Sequence, residues 1–158
     1  MKLFGLERLR QVSLEEAIKL FHRNPLASFT YFNQTYEWPD ASDRSYFTLT
    51  DVQIRVHDHA LADMERLSIT GGTARIQHIG VANSLTRRGI GPALAKAFAL
   101  EAARRYGVVR IVFAEDHSKY HERGYDGFFE KIGAIPLPVD LRVQRADRPD
   151  YEWDQAQW

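Results

Sequence analysis

The sequence predicts a mixed α/β fold, and three observations carry that reading. Residues 74–82, read as a strand, run through a glycine-containing turn into a helical stretch that ends at Gly107, and an almost continuous apolar run, 108–114, follows. Strand, turn, helix and strand in that order make a right-handed crossover unit with parallel strands. Separately, Ser13 to Phe21 carries a helix-start signal and an apolar face, while 45–57 reads as extended chain with Tyr46, Leu49, Val52, Ile54 and Val56 as β-formers.

Taken in order, residues 2–11 alternate too loosely to separate a first strand from a helical lead-in. Ser13 and Glu16 stand at capping-box spacing ahead of Ala17, Ile18, Leu20 and Phe21, so a helix is expected over 14–23, stopped by Asn24-Pro25. Phe29, Tyr31, Phe32, Tyr36 and Trp38 form an aromatic segment that Pro39-Asp40 interrupts; core and rim packing accounts for such a group by itself. Residues 45–57 form a long strand or hairpin arm. His57-Asp58-His59 follows it; a His-x-His pair can ligate zinc, but no partner cluster lies nearby in sequence, and no metal is expected.

Residues 60–69 read as a short helical turn or another strand, and Thr70-Gly71-Gly72-Thr73 as a turn. Without a bulge, the strand 74–82 sets Ile76, His78 and Gly80 on one face and Arg75, Gln77, Ile79 and Val81 on the other. The helix expected over 92–106 carries Leu94, Ala97, Phe98 and Ala102 at near-helical spacing, with Glu101 four residues before Arg105 and Gly107 as the C-terminal cap. Residues 108–114 have the composition of a buried central strand. A polar loop over 115–127 and closing strands at 139–144 and 151–153, with 145–150 as their turn, complete the expectation. With no internal repeat or linker, residues 1–158 are expected to form one domain.

Composition narrows the function. Hydrophobic residues make up 44% of the chain and aromatic residues 12%, as in a globular protein. Lys plus Arg and Asp plus Glu both number 21, a balance that does not point to nucleic acid or an anionic membrane as partner. The absence of cysteine removes disulfides, thiolate catalysis and Cys-ligated metals together. No stretch approaches the ~20 apolar residues of a membrane span, and the first ten residues lack an apolar run of signal length. A soluble cytoplasmic protein is the expectation.

The stretch Thr86-Arg87-Arg88-Gly89-Ile90-Gly91-Pro92-Ala93-Leu94 carries the chemistry. Two glycines one residue apart let the backbone turn tightly and bring its N–H groups close to a ligand. Pro92 suits the first helical position, where its missing N–H would have no intrahelical partner. The product is a helix N-terminus with outward N–H groups, flanked by two arginines: an anion site suited to phosphate or pyrophosphate. It is not a Walker loop, since no Gly-Lys-Ser/Thr follows, and it lacks the third glycine of a dinucleotide fingerprint.

This stretch resembles the acyl-CoA pyrophosphate loop of the GNAT superfamily, the acyl-CoA-dependent N-acyltransferases, with Val81, Gly89, Gly91 and Leu94 on the family spacing. Asn83 stands where proline is usual and Thr86 where Gln or Arg is usual; a shifted frame through Arg88, Gly91 and Ala93 also fits. Roughly 40 residues on, Phe128-Phe129-Glu130-Lys131-Ile132-Gly133-Ala134 resembles a second family signature. The resemblance covers about 74–134.

The resemblance implies a central mixed, mostly antiparallel sheet flanked by helices, with a β-α-β unit for CoA. It implies direct attack of a primary amine on acetyl-CoA, the acyl donor. Backbone around Ile79, Gly80 and Val81 would hold the pantetheine and polarise the thioester carbonyl. Arg87, Arg88, Gly89, Ile90 and Gly91, with Ala93 as a further contact, would take the pyrophosphate. The aromatic segment would wall the acceptor site.

An amine attacks only when neutral, and a lysine of pKa ~10.4 is neutral less than about one time in a thousand at pH 7, so a general base matters. His78 is the first candidate, with a satisfied core histidine as the equal alternative, and Glu115 or Asp116 the second. The family's usual general acid is a tyrosine where this chain has Phe129; Tyr125 or Tyr120 could deliver the hydroxyl instead, and solvent could also protonate a CoA thiolate. The acceptor is expected to be a small-molecule or peptide amine, with a homodimer left open. A GNAT-like acyl-CoA-binding or protein-interaction module with little or no catalysis is the alternative reading.

Overall fold

The computed structural model describes residues 11–37, 47–114, 126–137 and 150–158. Within them, α1 spans Leu14–Arg23 and the strands are β1 Phe29–Glu37, β2 Phe47–Val56, β3 His59–Thr70 and β4 Thr73–Val81. Helix α2, Ile90–Tyr106, leads to β5, Arg110–Phe113; α3, Asp126–Ile132, precedes β6, Ile135–Pro136, and β7, Tyr151–Asp154. The seven strands form one sheet in the order β1-β2-β3-β4-β5-β7-β6. All described pairings are antiparallel except β4 with β5, the crossover unit, which is parallel as expected.

Helix α1 matches its predicted bounds, because both ends are written locally. The Ser13 hydroxyl accepts the Glu16 N–H at 3.1 Å, and Pro25 starts the 3-10 turn beyond Asn24. Its apolar face buries Ala17, Ile18 and Phe21. Residues 60–69 resolve as strand, not helix: they belong to β3, which hairpins to β4 through Gly71 and Gly72, both at positive φ. Such a two-residue turn suits the twist of the strands it joins.

One expectation changes. Helix α2 begins at Ile90 with Gly89 as its N-cap at φ 74°, so Pro92 is the third helical residue instead of the first. Its absent N–H still falls among those without an intrahelical acceptor. Strand β4 keeps one register against β3, and both of its faces are covered toward its end, where His78 and Gly80 are buried and so is Ile79. The β3–β4 ladder skips the step between Arg66 and Gln77, where Arg66 takes φ 56°. At the far end of α2, Gly107 at φ 68° donates to Ala103 O, and Val108 to Ala102 O, satisfying the last carbonyls.

One core joins Phe21 of α1, Val52 and Ile54 of β2, Met64 of β3, Ile76 of β4, Leu94 and Phe98 of α2, Ile111 and Phe113 of β5, Phe129 of α3, and Trp153 of β7. Strand β5 is shorter than the apolar run 108–114: Val108 is buried, but Val109 lies outside the strand and is exposed. No helix among the described residues is long and apolar enough to cross a membrane.

Candidate functional site

Strand β4 pairs with β5 only over Thr73–Ile76; the last ladder step, Ile76 opposite Phe113, is followed by an Ala114 N–H bond to Ile76 O at 2.8 Å. From His78 to Val81, β4 remains paired with β3, while among the described residues no strand covers its other edge. Backbone polar groups along such an edge must find partners elsewhere.

A cavity of 420 Å³ opens at this divergence. Ile79, Gly80 and Val81 of β4 form one wall. Leu85, Thr86 and Arg87 of the connecting segment, with Gly89, Ile90, Gly91 and Pro92 at the start of α2, form another. Phe128 and Lys131 of α3 close it. Seven of the nine residues expected from sequence at the cofactor therefore meet in one place: Ile79, Gly80, Val81, Arg87, Gly89, Ile90 and Gly91.

The loop is shaped by left-handed backbone. Arg87 has φ 66° and Gly89 φ 74°, and Arg88 between them is not in the positive region. Alternation of this kind turns successive N–H groups into a concavity, the geometry of an anion nest. Beyond it, the N–H groups of Ile90 and Gly91 lie in the first turn of a 17-residue helix, with no intrahelical acceptor and at its positive end.

Two expected residues are placed otherwise. The Arg88 guanidinium turns to α1 and donates to both Glu15 carboxylate oxygens, at 3.0 and 2.6 Å. That hydrogen bonding holds the Glu15 carboxyl below its ordinary range and raises Arg88. Ala93 donates its N–H to Gly89 O at 3.3 Å, closing the first helical turn.

His78 does not line the cavity but borders it. A Cβ on Gly80, which does line it, would stand 2.8 Å from His78 Nε2 and 3.3 Å from Asp63 Oδ1. The His78 side chain is 3% exposed, with Nε2 4.0 Å from Asp63 Oδ1 and 3.9 Å from Glu65 Oε2. Cross-strand pairing produces this cluster, since Glu65 lies opposite His78 and Asp63 opposite Gly80. Its ligand atoms lie within 4.8 Å of one another, near enough to hold a divalent cation. By contrast, His59 is tethered to Val12 O at 2.6 Å through Nε2, the atom that also stands 3.9 Å from Asp58.

The remaining candidates, Glu115, Asp116, Tyr120 and Tyr125, lie outside the described residues. Phe129 is 1% exposed and stacks on Tyr151 with centroids 4.5 Å apart, between Phe113 and that ring. Of the aromatic segment, Tyr31 and Phe32 stand half-exposed on the edge strand β1, away from the cavity lining. Sequence reasoning assigned no role to Asp63, Glu65, Phe128 or Lys131. The i, i+2 spacing of Asp63 and Glu65 is the signal that could have found the first two, once 60–69 is read as strand.

Comparison with solved structures assigns the fold. Tetrahymena GCN5 matches with a TM-score of 0.50 at 13% identity, over 73% of this chain and 72% of that one. The PaiA N-acetyltransferase from Thermoplasma acidophilum, solved with coenzyme A, is 15% identical over 66% of this chain, with a TM-score of 0.49. A tandem GNAT protein from the clavulanic acid biosynthesis pathway is 25% identical over 61% of it, with a TM-score of 0.47. The chain spans 59% of the length of the PaiA protein and 31% of the tandem protein. No protein-family model and no curated protein matches the sequence. The chain has the fold of the GNAT acetyltransferases, a seven-stranded mixed sheet flanked by helices.

Proposed function

We propose that residues 1–158 act as one N-acetyltransferase domain that moves an acetyl group from acetyl-CoA to a primary amine of a small molecule or peptide. The observation that carries this reading is the cavity, where the uncovered edge of β4 meets the left-handed loop and the N-terminus of α2. In this reading the pyrophosphate lies on the N–H groups of Arg87 to Gly91, with the Arg87 side chain adding charge. The pantetheine runs along Ile79–Val81, where backbone N–H groups polarise the thioester carbonyl.

The neutral amine attacks that carbonyl, a C–N bond forms, and the tetrahedral intermediate expels the CoA thiolate. His78, one residue from the cavity wall, takes the ammonium proton before or during attack. Asp63 and Glu65 favour the imidazolium that results. The thiolate takes a proton from solvent or from a hydroxyl outside the described residues, Tyr120 or Tyr125.

Phe129 favours a second reading, an acyl-CoA-binding module without catalysis. At the position where the family signature places a tyrosine, this chain has a phenyl ring sealed in an aromatic stack. Two measurements separate the readings. Acetyl-CoA at about 100 times its dissociation constant stabilises a native-state binder by about 2.7 kcal/mol, a shift visible in thermal melting. Thiol release against a panel of amines then distinguishes an enzyme from a binder; no shift with acetyl-CoA would remove both.

A further inference from the structure

We infer that Glu15 and His22, both on α1, are positioning residues for acyl-CoA: they grip Arg88 by its side chain and its carbonyl and so hold Arg87 and Gly89 in the left-handed shape that faces the cavity. The inference rests on the acetyl-CoA reading above. Glu15 and His22 are seven residues apart, two helical turns, and therefore share one face of α1. From that face Glu15 accepts both terminal nitrogens of Arg88, at 3.0 and 2.6 Å, in the fork geometry that fixes direction as well as distance. His22 Nε2 lies 2.9 Å from Arg88 O. A carbonyl only accepts, so His22 carries its proton on Nε2.

Both ends of this brace are anchored. Phe21, fully buried, meets the His22 ring edge-on at 5.2 Å. On the loop side, a Cβ on Gly89 would lie 3.5 Å from His22 Cε1, so helix and loop are already in contact there.

The brace supplies what the loop lacks by itself. Arg87, a non-glycine residue that lines the cavity, has φ 66°. Such a conformation is sparsely populated and persists where the surroundings over-determine it. Arg88, the next residue, is fixed at two points, which sets the direction of the chain through Arg87 and into Gly89. The same contacts keep the Arg88 charge on α1 and leave Arg87 and Lys131 as the cationic side chains lining the cavity among the described residues.

Coenzyme A itself is the probe, titrated calorimetrically into the unmodified chain, Glu15→Ala, Arg88→Ala and their double variant. Exposed ion pairs act modestly, so each single change should weaken CoA binding by roughly 1.5- to fivefold. The double variant should bind no more weakly than the worse single one, because all three break the same brace. His22→Ala should weaken binding, and His22→Gln, which keeps an N–H donor, should recover part of it. Glu15→Ala binding as tightly as the unmodified chain, or more tightly because Arg88 is released to the phosphates, would overturn the inference. So would losses that multiply in the double variant, which would make Arg88 a phosphate ligand in its own right. If the unmodified chain binds no CoA, the acetyl-CoA reading itself fails and takes the brace with it, an outcome distinct from the others.

Discussion

The bare α carbon of Gly91 lies against the edge of Phe128: a Cβ there would stand 3.0 Å from Cε1 and 3.7 Å from Val81 Cγ2. This contact sets how closely α3 and β4 approach the start of α2 around the cavity. Gly91→Ala gains helix propensity, worth roughly 0.5–1 kcal/mol in a helix interior and less in a first turn. Shifting Phe128 by a few tenths of an ångström offsets that gain. Melting temperature should therefore change by no more than about 3 °C, while acetyl-CoA affinity falls severalfold. Gly91→Glu places a carboxylate in the proposed pyrophosphate site and should abolish binding; unchanged affinity, measured calorimetrically, would remove the loop from the site.

Gly89 and Gly107 separate folding from binding. Both are left-handed, at φ 74° and 68°, and flank α2 at its two ends. Alanine is strained at either, by roughly 1–2 kcal/mol, so both substitutions should lower the melting temperature by comparable amounts. The added Cβ meets ordinary contact with His22 at Gly89 and open space at Gly107. Gly89→Ala alone should weaken acetyl-CoA, because it alone perturbs the loop. Equal loss of affinity in both variants would mean that the effect is global.

Much of the frame is legible in the residues, and the limits have physical causes. Ser13, Glu16 and Pro25 write α1 locally, and Gly107 marks where α2 stops. The start of α2 is misplaced if Pro92 is taken as the marker, because the left-handed φ of Gly89 decides it. Arg87 and Arg88 are equivalent as letters; Glu15, 73 positions away, separates them. The cluster around His78 follows from counting back along the hairpin from the Thr70–Thr73 pair. That count requires β3 to be read as strand, and the apolar run Ala60-Leu61-Ala62 together with the irregularity at Arg66 blurs its alternation.

The Glu15–Arg88 pair gives a pH dependence of definite sign. The Arg88 hydrogen bond holds the Glu15 carboxyl below its ordinary value of 4.5. A carboxyl depressed in the folded state adds stability that is present above its unfolded pKa and lost as pH falls through its folded one. The melting temperatures of the unmodified chain and Glu15→Gln should thus differ by a small constant amount at neutral pH and converge as the solution is acidified below about pH 4.5. A gap that persists or widens at low pH would show that the carboxylate is not the group responsible.

His78, Asp63 and Glu65 carry the catalytic prediction. If His78 removes the amine proton, His78→Gln should lower kcat/KM by about 10² to 10⁴ and leave acetyl-CoA binding intact, since Nε2 borders the cavity at Gly80 without lining it. Removing one carboxylate, by Asp63→Asn or Glu65→Gln, leaves the other within about 4 Å and should cost less than losing His78. Gly80→Ala forces a Cβ to 2.8 Å from His78 Nε2, so it should lower turnover as His78→Gln does. Acceptors discriminate further: an amine of pKa near 8 is neutral about a tenth of the time at pH 7, and a lysine-like amine less than about a thousandth. The His78→Gln loss should accordingly be larger for the more basic acceptor, measured by thiol release at pH 7. Equal activity of His78→Gln and the unmodified chain toward both acceptors would make His78 a core histidine and place the base elsewhere.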